Sequence, residues 1–128
     1  MQLRYTILYV KDVPSTLSFY ERAFSQTRTM LHEGGDYGEL ATGETKLAFS
    51  SLELMQSIGK SPGSTASQSP CFEIAFETTD VRSALDLAIE AGATLVQDVE
   101  EMPWGQTTSY VKDPDGFLIE ICSPVGQS

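Results

Sequence analysis

Histidine is almost absent from this chain: His32 is the only one in 128 residues. Cysteine is nearly as scarce, with Cys71 and Cys122 the whole complement. Zinc sites built from several imidazoles and thiolates are therefore excluded, and two cysteines cannot make the disulfide framework of a small secreted domain. Basic residues are few as well: 8 Lys and Arg stand against 18 Asp and Glu, a formal charge of −10. They are scattered along the chain, and a surface of this sign repels phosphate, so neither nucleic acid nor an anionic membrane is expected as a partner. No apolar run approaches the roughly 20 residues that cross a bilayer. The opening Met1-Gln2-Leu3-Arg4-Tyr5 lacks the charged head and apolar stretch of a signal peptide. The expected location is cytoplasmic.

What is present reads as a globular chain, with 41% hydrophobic and 20% charged residues, enough to bury one core or two small ones. From Ser57 to Pro70 the residues are small and polar with no hydrophobic period. This predicts a linker loop over 57–70 between a first module, 1–56, and a second, 71–128, within a single domain. Sliding the second half back by 68 positions lays Tyr5 on Glu73, Ile7 on Ala75, Asp12 on Asp80, Val13 on Val81, Ser15 on Ser83, Leu17 on Leu85 and Ala23 on Ala91. The halves read as an internal duplication.

Each half opens on an alternating run, Leu3 to Val10 or Phe72 to Thr78, that predicts a strand. Asp12 or Asp80 follows, placed to accept the free amides of a helix N-terminus, and Pro14 fits the first turn. Leu17, Phe19, Tyr20, Ala23 and Phe24 then recur at helical spacing, as do Val81, Ala84, Leu85, Ala88 and Ile89. Three further strands are predicted after each helix: Thr27 to His32, Tyr37 to Ala41 and Thr45 to Ser51, then Thr94 to Glu100, Gln106 to Lys112 and Phe117 to Cys122. Asp113-Pro114-Asp115-Gly116 supplies hairpin-turn chemistry before the last. The predicted fold class is α+β, βαβββ twice, with a concave mixed sheet and the helices outside.

Side-chain alternation divides the strands into faces. Phe72, Ile74 and Phe76 share one face and Glu73, Ala75 and Glu77 the other; Phe117, Ile119 and Ile121 lie opposite Leu118, Glu120 and Cys122. The apolar faces should take the helices, leaving mid-strand glutamates on the other side. An acidic residue inside a strand is uncommon enough to mark Glu73 and Glu120 as candidate site residues.

The run Asp113-Pro114-Asp115-Gly116-Phe117-Leu118-Ile119-Glu120-Ile121, preceded by Pro103-Trp104-Gly105, resembles the C-terminal signature of the vicinal oxygen chelate superfamily, the glyoxalase/bleomycin resistance/dioxygenase family. The opening Leu3-Arg4-Tyr5-Thr6 with Asp12 and Phe19-Tyr20 is similar too, so the resemblance spans essentially the whole chain. It implies a cup between the modules, where the enzymes of the superfamily hold a divalent metal, and two-fold dimers. Residue by residue, it puts Tyr5 where His or Gln is usual, Glu73 where His is usual, and Glu120 on the glutamate position. The fourth position falls on Leu47 or Ala48, neither of which binds metal. Glu73 and Glu120 are then the possible ligands of Zn, Ni, Mn or Fe, an incomplete set.

Two carboxylates and a phenol make a poor site for an ion that typically wants three donors and an open position. Without metal, paired glutamates raise a pKa or receive a cation. The favoured reading is therefore a protein that binds a small molecule in the cup over a degenerate metal site, with Tyr5, Glu73 and Glu120 lining it. Trp104, Tyr110 and Phe49 either offer that ligand aromatic surface or fill core. An amine suits the pair better than an anionic glutathione adduct does. The alternatives are a metal-dependent glyoxalase-like lyase, isomerase or dioxygenase-related enzyme using Glu73 and Glu120, with Glu120 as catalytic base, and a purely structural module. His32, beside Glu33-Gly34-Gly35, reads as a loop histidine. Gly59-Lys60-Ser61 is no phosphate-binding loop, because the required earlier glycine is Leu54. If Glu73 lies level with Glu120 in parallel strands, Cys71 and Cys122 sit four residues of rise apart, roughly 13 Å, beyond disulfide reach.

Overall fold

The computed structural model describes residues 1–63 and 69–126. The chain forms two compact units, Met1–Thr65 and Ala66–Ser128, each with its own four-stranded sheet. Residues 64–68 of the expected linker lie outside the described residues. Among the described residues no helix is long and apolar enough to cross a membrane.

In the first unit β1 (Tyr5–Val10) leads into α1 (Val13–Phe24), and β2 (Arg28–Leu31), β3 (Tyr37–Leu40) and β4 (Lys46–Ser51) follow. Asp12 caps α1: its carboxylate accepts from the Ser15 amide at 3.1 Å, with Pro14 in the first turn. The sheet order is β1-β4-β3-β2, with β1 parallel to β4 and the other pairs antiparallel. Thr6, Leu8 and Val10 line up with Leu47, Phe49 and Ser51 on the face that α1 covers. Leu17, Tyr20, Leu40 and Phe49 are fully buried, and the rings of Tyr20 and Phe49 lie 5.0 Å apart. Tyr5, Ile7 and Tyr9 alternate onto the open face, level with Lys46, Ala48 and Ser50.

A short helix that the sequence pattern did not predict, α2 (Leu52–Ser57), continues from β4. Ser51 caps it, its hydroxyl accepting from the Leu54 amide at 3.0 Å, and Met55 is its buried residue. The first element run therefore ends one residue later than the expected module boundary.

The second unit repeats the order: β5 (Ile74–Glu77), α3 (Val81–Glu90), β6 (Thr94–Met102), β7 (Gln106–Lys112) and β8 (Leu118–Cys122), with sheet order β5-β8-β7-β6. Asp80 caps α3 as Asp12 caps α1, accepting from the Ser83 amide at 3.1 Å. Leu85, Ala88, Val111, Ile119 and Ile121 are buried between α3 and its sheet. At the β7–β8 turn the buried Asp113 accepts from the amides of Asp115 and Phe117 at 3.0 and 2.9 Å, and Gly116 closes the turn at φ +92°. Only a residue without Cβ takes that angle freely.

The register of β5 on β8 corrects one expectation. Glu120 lies level with Ala75, not Glu73. A slip of two residues preserves which side chains face the helix, so alternation cannot tell these registers apart. Cys71 and Cys122 are consequently further apart than four residues of rise, and both thiols are free. The strands also start later than their apolar runs, at Tyr5 rather than Leu3 and at Ile74 rather than Phe72.

Candidate functional site

The open face of the second sheet brings three of the sequence-predicted residues together. Tyr110 on β7 lies level with Glu120 on β8. Its hydroxyl donates to Glu120 Oε2 at 2.9 Å and reaches Glu73 Oε2, just before β5, at 3.4 Å. Glu73 is two residues before Ala75, the register partner of Glu120, and alternation puts it on the same face. Glu73 is exposed, whereas Tyr110 and Glu120 are half-buried. Burial raises the Tyr110 phenol pKa, and its hydrogen bond to Glu120 and the charge of Glu73 push the same way, so the hydroxyl keeps its proton as a donor. None of the ion pairs formed among the described residues involves Glu73, Glu77 or Glu120.

Cys122 follows Glu120 on this face. Its buried thiol contacts the Phe76 carbonyl at 3.7 Å, and burial, with the charges of Glu120 and Glu77 added, pushes its pKa up to about 11. It is a protonated neighbour of the cluster and a poor nucleophile.

Trp104 stands apart from the cluster: 57% exposed at the β6–β7 turn, it donates through Nε1 to Gln106 Oε1 at 2.7 Å. Phe49 fills core. At 0% exposure against Tyr20 it presents no surface to a ligand. Tyr5, 48% exposed, lies on the open face of the first sheet level with Lys46. Of Leu47 and Ala48, Ala48 lies level with Ile7 on the open face, and Leu47 lies level with Thr6 on the face that α1 covers. His32 is exposed, its ring beside Asp36 at 3.2 Å.

The first sheet holds a residue that sequence reading missed. Glu39 is only 8% exposed, yet it lies on the open face, level with Ala48. Its carboxylate accepts from the Tyr37 hydroxyl at 2.7 Å and pairs with Lys46 Nζ at 3.4 Å. Burial raises the Tyr37 phenol pKa, with the Glu39 hydrogen bond second. Each sheet thus carries a phenol donating to a carboxylate, balanced by Lys46 in the first and joined by a second carboxylate in the other. The mid-strand-acid criterion that marked Glu73 and Glu120 would have found Glu39 too. The first unit also has a groove of about 490 Å³ at the C-terminal ends of β1 and β4, edged by Lys11, Asp12, Asp36 and Glu53. It contains none of the expected site residues.

A divalent metal, as the resemblance implies, does not fit these donors. Glu73 and Glu120 provide two carboxylates, and the oxygen hydrogen-bonded to both is a protonated phenol. Among the described residues no group of three or more His, Cys, Asp or Glu side chains is arranged to hold a metal ion.

The fold agrees with comparisons to known proteins. Residues 3–126 match the family model described as Glyoxalase-like domain. An uncharacterized protein of Mycobacterium bovis is 29% identical over 123 residues, spanning 92% of this chain and 80% of its own length. A glyoxalase-related enzyme from Fulvimarina pelagi superposes with a TM-score of 0.83 at 21% identity, covering 97% of this chain and 88% of its own. A glyoxalase/bleomycin resistance protein/dioxygenase family enzyme from Burkholderia phytofirmans PsJN gives 0.80 at 21% identity, covering 96% and 98%. At these identities the structural matches establish the shared fold, and the family match over nearly the full length establishes descent: the chain belongs to the glyoxalase-like domain family.

Proposed function

We propose that this protein binds a small molecule bearing an ammonium, guanidinium or comparable donor group on the open face of its second sheet, and holds it without metal-dependent chemistry. The observation that supports the reading is the Glu73–Tyr110–Glu120 cluster: two carboxylates share one phenol hydroxyl, and among the described residues no ion pair neutralises either. Two negative charges this close repel, and a donor cation relieves that repulsion while replacing the water it displaces. The exposed Glu73 gives the ligand an approach. A metal-dependent lyase or isomerase requires a third donor that this cluster lacks. Self-association as a two-fold dimer belongs to the same proposal, on family grounds, and sedimentation velocity tests it.

Thermal-shift measurements with small organic ammonium and guanidinium compounds, set against matched amides and carboxylates, test the reading. A ligand present at about 100 times its Kd contributes about 2.7 kcal/mol, a Tm rise of several degrees in a chain this size. The rise is expected for the cations and absent in Glu120→Gln and Glu73→Gln. Equal shifts with neutral or anionic compounds, or shifts that survive both substitutions, would overturn it.

A further inference from the structure

We propose that Tyr110 decides what the carboxylates of the second sheet accept: its hydroxyl occupies the point between Glu73 and Glu120 that a divalent ion would need, so the pair takes hydrogen-bond donors and refuses divalent metals. The inference stands whichever small molecule the protein binds.

The phenol oxygen lies 2.9 Å from Glu120 Oε2 and 3.4 Å from Glu73 Oε2. Carboxylate oxygens coordinate divalent ions at about 2.0–2.6 Å. An ion touching both oxygens would therefore compete with the hydroxyl for the same two carboxylate atoms, and the hydroxyl is held there by its strand. Tyr110 is centred in β7, paired with Glu120 on one side and with Gln97 on the other, and the half-buried ring is placed by that register. The Cys122 thiol is turned to the Phe76 carbonyl, Ala75 occupies the strand position level with Glu120, and Glu77 is exposed beyond it. The first sheet shows the same substitution of roles: Ala48 stands level with Ile7 as Glu120 stands level with Ala75, so the counterpart of the glutamate has no donor atom. A phenol here serves the purpose an ion would otherwise serve, holding two carboxylates on one face, and it does so with a single proton.

The test uses Co²⁺ and Mn²⁺ alone as probes, in equilibrium dialysis of the full chain. The wild type is expected to show no saturable site up to about 1 mM, weaker than sensor-type carboxylate sites by orders of magnitude. Tyr110→Phe removes one oxygen and leaves its place open between two acceptors. It should gain a site at least about tenfold tighter than the wild type, through two carboxylates completed by water, and Glu120→Gln in that background should abolish it. Circular dichroism confirms that the variant is folded; Tyr110→Leu, which also removes the hydroxyl, serves if it is not. Stoichiometric binding by the wild type that Glu120→Gln removes would overturn the proposal. So would a folded hydroxyl-free variant that binds no tighter than the wild type. Because no organic ligand enters the experiment, failure of the cation-binding reading leaves this result unaffected.

Discussion

Gly38 has no room for a side chain because α1 lies directly over β3. A Cβ there would come within 2.6 Å of Leu17 Cδ1, 3.1 Å of the Met30 carbonyl oxygen and 3.3 Å of Val13 Cγ1. Leu17 and Val13 are fully buried and the carbonyl belongs to the backbone, so none of the three yields easily. Gly38→Ala should destabilise the fold by about 1–3 kcal/mol, the usual range for overpacking, read as a lower urea midpoint at unchanged slope. Phe49→Ala empties a site of 0% exposure and should cost about 3–5 kcal/mol. Retained stability in that variant would show that the ring is not core. Composition and strand alternation made Glu73 and Glu120 legible from sequence. They did not show that a phenol from the adjacent strand joins them, since that contact depends on register across β7 and β8.

At the level of elements, the duplication is most visible in the helix caps. Asp12 and Asp80 sit 68 positions apart and each accepts the amide three residues on, at 3.1 Å. Asp12→Ala should cost about 1 kcal/mol by the loss of one cap. For Asp80, the Ser83 amide lowers the carboxyl pKa. A carboxyl held below its unfolded value stabilises the fold above the ordinary aspartate pKa of about 3.9, and that contribution disappears as pH falls through the folded value. The Tm of Asp80→Asn should therefore lie below wild type at pH 7, and the gap should close below about pH 4. A gap that is constant across that range would show that the cap acts through shape alone. The caps and long helices could be read in advance because their signals are local. Helix α2 could not: six residues with one buried side chain, Met55, carry no period, and its placement comes from packing on β1 and β4.

For the whole molecule, the excess of 18 acidic over 8 basic residues acts as self-repulsion. Raising NaCl from about 10 to 150 mM shortens the screening length from about 30 to 8 Å. Tm should rise across that interval by thermal melt, and a fall would show that ion pairs such as Arg28–Glu21 and Arg82–Asp98 outweigh the repulsion. The scarcity of histidine acts at the same scale. It leaves His32, an exposed residue beside Asp36, as the one imidazole of the chain.

The sequence by itself determined the class of fold, the repeated βαβββ order, the capping aspartates and the face on which Glu73 and Glu120 lie. Each of these follows from local chemistry or from a period of two or 3.6 residues, both intrinsic to one strand or helix. Only the tertiary structure decided that Ala75, not Glu73, stands level with Glu120, that Ala48 rather than Leu47 shares the open face with Tyr5, that Phe49 is core and that Tyr110 bridges the two carboxylates. For Ala48 and Phe49 the reason is that packing of α1 decides which face of β4 is buried; for Ala75 and Tyr110 it is register. Registers two residues apart bury the same side chains, so the choice between them rests on contacts between strands distant in sequence.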